Sequence, residues 1–292
     1  MIEGVTTLFG RWQETSDPAA PGGGHVVSDG TYRVWLAGFP AIPFGGTVEG
    51  ERDYMDPQAR GIDPAAVEVQ YQLAIQPIPR STCELPWMDL DGGRMPELPP
   101  EEVQRGSQEF VDCLLGLWRP MADSVGASLI EHVPVRFCGM PEFQGQGPCA
   151  EPGLAGAYTY FERALYVYEG YASPGLWLPE LEKTLAHEVG HALQHEMLGP
   201  GGMYAIQSFT MGLHIDETLD RQLELNAECL AAGMVADPSM TDEELRRVGF
   251  LFPSDEIHWG AESGEFWTRQ GIGGHVGDCA TWLGAQSTLA WP

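Results

Sequence analysis

Basic side chains are scarce in this sequence of 292 residues. It contains 15 lysines and arginines against 42 aspartates and glutamates, so its formal net charge at pH 7 is −27. A field of that sign repels nucleic acid and anionic membrane surfaces, which argues against both as partners. Lys183 is the only lysine, and we attribute this scarcity to overall composition rather than to mechanism.

Long apolar runs are also missing. No run approaches the roughly 18 apolar residues that a membrane-spanning helix needs. The first residues after Met1 carry neither the basic nor the apolar part of a signal peptide. We therefore expect no membrane contact by the chain as given. Either the protein is cytoplasmic, or a leader or anchor has been removed from it, and the cysteines favour the second alternative.

No two cysteines have the C-x-x-C spacing of a zinc ribbon. Their number is nevertheless even, and an even number suits a disulfide framework, of which many pairings are possible. Three disulfides favour an extracellular or cell-surface location; the alternative is a cytoplasmic protein with six buried thiols. The cysteines are Cys83, Cys113, Cys138, Cys149, Cys229 and Cys279.

The order of the predicted elements indicates an α+β fold. Strand patterns dominate the first part of the chain and helical periodicity dominates the second, with no internal repeat. Residues 76–100 are too rich in proline for a regular element. Strands are predicted at 31–39, 66–75, 133–137 and on both sides of a turn near Glu162. Helices are predicted from 101, from Pro179 to a stop at Gly199 and Pro200, at 216–235, at 241–248 with a Thr241–Glu244 capping box, at 261–270 and at 278–288.

The stretch "LAHEVGHALQHEM" carries three histidines at steps of four residues. His187 and His191 are one turn apart on one helix face, so their imidazoles can reach the same ion. Glu188 lies beside that ion and can take a proton from water, as the glutamate of H-E-x-x-H motifs does. His195 is about 12 Å from His187 along the helix axis, so we place it outside the ligand set.

A catalytic zinc site needs a third protein ligand. The metzincin position, ten residues after His187, holds Met197, so the ligand must come from elsewhere. Glu224 and Glu228 share one face of a predicted helix with apolar flanks, where two carboxylates would be costly without a cation. We predict Glu224 as the ligand and Glu228 as the acceptor for the far nitrogen of a ligating histidine. The alternative is an exposed acidic helix edge.

The combination of "LAHEVGHALQHEM" with "LELNAECLAAG" resembles the bacterial neutral zinc metallopeptidase family, which is similar to the gluzincins. "ALYVYEGY" upstream and "HWGAESGEFWTRQGIGG" and "CATW" downstream extend the resemblance over about residues 105–285. It implies a zincin-like domain at 101–292, with a small mixed or antiparallel sheet, an active-site helix and a helical C-terminal part. Residues 1–100 would form a separate N-terminal segment containing strands.

The resemblance also implies roles for single residues. His187, His191 and Glu224 map to ligands of one Zn²⁺, Glu188 to the general base and Glu228 to the partner of a ligating histidine. The family usually has aspartate at the last position. Further downstream, Trp259 and Gly264 depart from the family pattern, but His258 is present and is our candidate for stabilising the oxyanion. Its rivals are His214, His275 and Tyr166.

The family further suggests that Cys229 pairs with Cys279, and pairs of Cys83 with Cys113 and of Cys138 with Cys149 would then follow by proximity. The expected activity is hydrolysis of peptide bonds in a protein or peptide substrate, which would pair with "ALYVY" as a sheet edge. Two alternatives share the zinc site. One is a zinc-containing secreted or cell-surface binding protein with little or no hydrolytic activity, and the other hydrolyses a non-peptide amide.

Overall fold

The structure is a computed structural model. It describes residues 76–89, 92–126, 129–150, 155–159, 162–211, 216–250 and 261–279, together with four short strands near the N-terminus. Those strands are β1 (Gln13–Glu14), β2 (Gly23–Val26), β3 (Thr31–Val34) and β4 (Phe44–Thr47). They form a sheet in the order β1-β2-β3-β4, in which only the first pair is parallel. The predicted strand at 31–39 is present as β3, whereas the one at 66–75 lies outside the described residues.

A second sheet supports the candidate site. Its strands are β5 (Val135–Phe137), β6 (Gly156–Thr159) and β7 (Ala164–Val167). β7 pairs with β5 in parallel and with β6 antiparallel, so the predicted small mixed sheet is confirmed. The turn between β6 and β7 includes Arg163, whose φ of 50° lies in the left-handed region.

The strand "ALYVY" is not a sheet edge, so that expectation was wrong. β7 lies between β5 and β6, and all four of its residues are buried. A strand paired on both sides and covered on both faces favours a continuous apolar and aromatic run, which is what this segment shows. Among the described strands, β6 is the edge next to the candidate site.

Five α-helices are described, and each of them overlaps a predicted helix. They are α1 (Pro100–Val125), α2 (Leu178–Met211), α3 (Asp216–Val235), α4 (Asp242–Val248) and α5 (Ala261–Gly271). The Thr241–Glu244 capping box at the start of α4 is confirmed. At 278–288 the described part is a 3₁₀ turn over Val276–Cys279, and the rest lies outside the described residues.

Helix α2 is longer than predicted. It runs past Gly199 and Pro200 to Met211, so the expected stop was wrong. Proline inside a helix removes one backbone donor and costs about 3 kcal/mol, which disfavours a helix there but does not forbid it.

Among the described residues, no helix is both long and apolar enough to span a bilayer.

The hydrophobic core lies where α1, α2 and α3 meet the inner face of the β5–β7 sheet. The largest fully buried side chains include Phe110 and Trp118 of α1 and Leu165 of β7. The irregular segment 76–89 and Met95 contribute to the same core through Ile78, Leu85, Trp87 and Met95. Residues on both sides of the predicted boundary at 100 therefore pack together.

Three disulfides join the described elements. The bonded pairs are Cys83–Cys113, Cys138–Cys149 and Cys229–Cys279, with S–S distances of 2.02, 1.90 and 2.07 Å. The pairing predicted by resemblance and proximity is thus confirmed. Disulfides of this number are compatible with an extracellular protein.

Candidate metal centre

Helices α2 and α3 lie unusually close together at the candidate site. A Cβ atom added to Gly190 of α2 would lie 3.0 Å from the Cα and 3.1 Å from the carbonyl oxygen of Ala227 in α3. Real Cβ atoms seldom come this near to backbone. The absence of a side chain at Gly190 therefore brings the histidine face of α2 against the glutamate face of α3.

The three predicted ligands come together across this contact. His187 Nε2 is 3.0 Å from Glu224 Oε2, His191 Nε2 is 3.3 Å from the same oxygen, and the two Nε2 atoms are 3.2 Å apart. Tetrahedral coordination with bonds of about 2.0–2.1 Å places ligand atoms about 3.3 Å from one another. The triangle of these three atoms could therefore hold one metal ion.

The three side chains differ in exposure. His187 and His191 are buried, each 7% exposed, whereas 28% of the Glu224 side chain is exposed. Within the described part of the chain, the group is thus closed by protein around the imidazoles and more accessible at the carboxylate. Such a site can leave a coordination position for water, which distinguishes catalytic from structural zinc sites.

Glu228 lies at the far nitrogen of His187, as the sequence analysis expected. Its Oε2 atom is 3.0 Å from His187 Nδ1. A carboxylate at this position can accept the Nδ1 proton, which leaves the Nε2 lone pair for a metal ion. The extra methylene of glutamate, compared with aspartate, does not prevent the contact.

Lys183 completes this arrangement and was missed by the sequence analysis. Its Nζ atom is 2.8 Å from Glu228 Oε2, and both side chains are almost fully buried. The only lysine in the chain therefore lies within the candidate site, one helical turn before His187. Its spacing of four residues from His187 was the available signal.

Glu188 lies on the side of α2 that faces β6. It is 6% exposed, and its Cγ atom is 3.0 Å from where a Cβ atom on Gly156 would lie. The backbone N–H of Tyr158 donates to its carboxylate. Burial raises the pKa of Glu188, while the charges of His187 and His191 act in the opposite direction.

The glutamates and histidines of the group also shift each other's pKa values. Burial alone would lower the pKa of His187, but hydrogen bonds to Glu224 and Glu228 raise it to about 10. Burial opposes ionisation of Glu224 too, yet the charge of His191 and the hydrogen bonds of both imidazoles lower its pKa well below the usual value. Without a metal, protonated imidazoles therefore neutralise the carboxylates.

The charge of the cluster fits a divalent cation. With both imidazoles neutral, as metal ligation requires, the buried or half-buried carboxylates are Glu188, Glu224 and Glu228. Lys183 compensates one of these three negative charges. Two remain, and burying them without compensation would be costly. A doubly charged ion held by His187, His191 and Glu224 would balance the cluster.

His195 is outside the ligand group, in agreement with its predicted distance. Its Nδ1 atom is 3.0 Å from the hydroxyl of Tyr158 on β6. Both side chains are buried. The third histidine of the motif therefore joins α2 to the edge strand of the sheet.

The predicted oxyanion residue, His258, lies outside the described residues, and so does its rival His214. The other two rivals are located elsewhere. Tyr166 donates to Glu162 on the outer face of the sheet, beside the Cys138–Cys149 disulfide. His275 is exposed and pairs with Asp278. Neither belongs to the His187–His191–Glu224 group.

Comparison with known proteins found no match for this chain: no protein-family model, no curated protein and no solved structure matches it. The assignment below therefore depends on the geometry and chemistry of the site itself.

Proposed function

We propose that this protein hydrolyses peptide bonds with one Zn²⁺ ion held by His187, His191 and Glu224, and with Glu188 as the general base. The observation that carries the proposal is the buried Glu188 carboxylate beside a triangle of two imidazoles and a carboxylate. A purely structural zinc site is usually closed by four protein ligands and needs no such acid.

The donor set favours zinc over other divalent ions. Two neutral imidazole nitrogens with one carboxylate oxygen are ligands typical of zinc hydrolases, whereas calcium and magnesium prefer oxygen ligands alone. A Zn²⁺ ion bound there would supply Lewis acidity, both to acidify water and to polarise the scissile carbonyl. The contact with Glu228 described above would keep the His187 imidazole in the form that binds a metal.

Glu188 would move the protons of the reaction. Its carboxylate accepts a proton from the attacking water as the new C–O bond forms. It then returns this proton to the amine nitrogen as the C–N bond breaks, so no other proton donor is needed. The Tyr158 N–H holds the carboxylate in one orientation, which reduces the cost of aligning it for each transfer.

The edge of β6 is the proposed substrate-binding edge. The Tyr168 N–H donates to the carbonyl of Ala155, so in this antiparallel register Ala155 and Ala157 pair with β7. The backbone groups of Gly156 and Tyr158 are directed to the other side, where the Tyr158 N–H already donates to Glu188, so a peptide would pair with Gly156 and with the Tyr158 carbonyl. An extended peptide that paired there would lie next to Glu188.

Replacement of Glu188 by glutamine tests the proposal. The Glu188→Gln protein should bind one Zn²⁺ as the unsubstituted protein does, but cleave a denatured protein mixture at least about 100-fold more slowly. Glu180→Gln, on the same helix and half-buried, is the matched control and should retain cleavage. If all three proteins bind zinc and none cleaves, the peptidase proposal fails and a zinc-containing binding protein becomes the better account.

The location proposed for this activity is outside the cell. Three disulfides are stable in an oxidising compartment and rare in the cytosol. The strongly negative net charge keeps such a protein soluble.

A further inference from the structure

A chain of buried hydrogen bonds extends from the second imidazole to the backbone of the C-terminal segment. His191 Nδ1 is 3.0 Å from Gln194 Oε1, and Gln194 Nε2 donates to Asn226 Oδ1 at 2.7 Å. Asn226 Nδ2 in turn donates to the carbonyl oxygen of Cys279 at 2.6 Å. Gln194 is 0% exposed and Asn226 is 1% exposed.

The backbone carbonyl determines the direction of every bond in this chain. A carbonyl oxygen can only accept, so the amide nitrogen of Asn226 must face Cys279 and its oxygen must face Gln194. Gln194 must then present its nitrogen to Asn226 and its oxygen to His191. The imidazole can satisfy that oxygen only by donating from Nδ1. The Nε2 lone pair is therefore left for a metal ion.

The carbonyl itself is held in place by a disulfide. Cys279 is bonded to Cys229, which follows Glu228 in α3 and is fully buried. The C-terminal end of α5 also packs tightly on α3, because a Cβ atom on Gly271 would lie only 1.9 Å from the carbonyl oxygen of Cys229. The Cys279 end of the hydrogen-bond chain is thus anchored to α3, the helix that supplies Glu224, while its other end is His191 on α2.

The two imidazoles therefore have different partners. His187 donates to the Glu228 carboxylate, whereas His191 donates to a neutral amide. A second carboxylate would add another negative charge to a cluster that already has two in excess. The amide chain orients His191 without adding charge.

We infer that Gln194 and Asn226 are positioning residues that hold His191 in its metal-binding tautomer, and that the Cys229–Cys279 disulfide anchors them. The inference rests on the proposed metal centre and extends it. Neither residue contacts the ion or the substrate; both act through His191. Metal affinity then depends on a disulfide whose sulfur atoms are not ligands.

Two substitutions of Gln194 separate orientation from packing. Gln194→Met keeps the volume but removes the acceptor, and zinc affinity of the purified full chain should fall about 10- to 100-fold in a chelator competition. Gln194→Glu keeps the acceptor for His191 but loses the donor to Asn226, so its zinc affinity should lie between those of the unsubstituted protein and Gln194→Met. If Gln194 served packing alone, methionine would be tolerated better than a buried charge, and the order would be reversed.

Nuclear magnetic resonance of the imidazole gives a signature that packing would not change. In the zinc-loaded protein, the Nδ1–H of His191 should give a downfield, hydrogen-bonded resonance that persists in Gln194→Glu and is lost in Gln194→Met. Loss of affinity in Gln194→Met with this resonance unchanged would overturn the inference.

Disulfide variants test the anchor. Replacing both Cys229 and Cys279 by serine should lower zinc affinity about 10-fold, whereas the same change at Cys83 and Cys113 should lower thermal stability without changing zinc affinity. Equal zinc affinity in folded samples of both double variants would contradict the anchoring role. If the unsubstituted protein binds zinc and cleaves peptides but the Gln194 variants do not differ, only the inference fails. If it binds no zinc, the proposed function fails as well.

Discussion

Lys183 and Glu228 form a buried ion pair next to His187, one of the three candidate metal ligands. Removal of one partner from such a pair leaves the other charge buried and uncompensated. The free-energy cost of that buried charge is larger than the net stabilisation that the intact pair supplies. The pair also explains how Glu228 can stay ionised: burial opposes ionisation, and the charge of Lys183 lowers the pKa of Glu228 below its usual value.

Lys183→Met should therefore destabilise the metal-free protein by about 3 kcal/mol in urea unfolding. Arg80→Met is the matched control, because Arg80 pairs with Asp237 at the surface, where both side chains are about half exposed. That substitution should cost less than about 1 kcal/mol. Equal losses in the two variants would show that burial does not determine the contribution of Lys183.

The residue scale is also where prediction from sequence succeeded best. His187 and His191 lie one turn apart on α2, and Glu224 and Glu228 lie one turn apart on α3. The helix face that each pair shares therefore follows from helical geometry alone. Lys183 and Gln194 share helix faces with His187 and His191, but the contacts of Lys183 with Glu228 and of Gln194 with Asn226 join two helices and follow no such pattern. Their roles depend on how closely α2 and α3 approach, and no local spacing predicts that distance.

At the scale of elements, the close contact of α2 and α3 depends on Gly190. Gly190→Ala would place a methyl group against the backbone of Ala227, so the helices would have to separate. We expect a loss of about 1–3 kcal/mol in stability together with weaker zinc binding, since the ligands come from both helices.

Gly116→Ala is the corresponding control in α1, where an added Cβ atom would meet no atom within 4 Å. Alanine is the better helix former, so this variant should be as stable as the unsubstituted protein or more stable by up to about 1 kcal/mol. Similar destabilisation of both variants would argue against a special role for the Gly190 contact.

Segment 76–89 is tied to α2 through Glu182, whose carboxylate accepts from the Leu85 N–H at 2.8 Å. Burial raises the pKa of Glu182 to about 7, the Leu85 hydrogen bond lowers it, and Glu84 raises it further. The folded protein then keeps a proton that the unfolded chain releases at lower pH. The free energy of unfolding should therefore decrease as pH rises from about 4.5 to about 7.

Glu182→Gln should remove this decrease, because glutamine retains the acceptor but never ionises. The variant should match the unsubstituted protein near pH 4.5 and exceed its stability by about 3 kcal/mol above pH 7. Urea unfolding at a series of pH values measures this difference. Glu109→Gln, at an exposed position on α1, is the control for losing one negative charge. A parallel pH dependence in the Glu182 and Glu109 variants would contradict the assignment.

Elements themselves were predicted more reliably than their arrangement. Glu101 and Glu102 mark the start of α1, and the Thr241 capping box marks that of α4, because helix termini have local signals. The position of β7 in the centre of its sheet had no local signal beyond its continuous apolar run. Strand order depends on packing between distant segments, which a single sequence does not reveal.

At the scale of the whole molecule, the charge and the disulfides were readable from composition, and the disulfide pairing required the resemblance. Cys229 and Cys279 are 50 residues apart, and only the fold brings them together. The zincin-like architecture and the separate N-terminal segment remain predictions. So does the role of His258, which lies outside the described residues.

The proposed function requires one zinc ion to bind between α2 and α3. Crystals grown with zinc, with anomalous diffraction measured above and below the zinc absorption edge, test it most directly. We expect one anomalous difference peak per chain, at about 2.0–2.2 Å from His187 Nε2, His191 Nε2 and a Glu224 carboxylate oxygen. A zinc ion bound only by other residues, or no peak between the two helices, would contradict it.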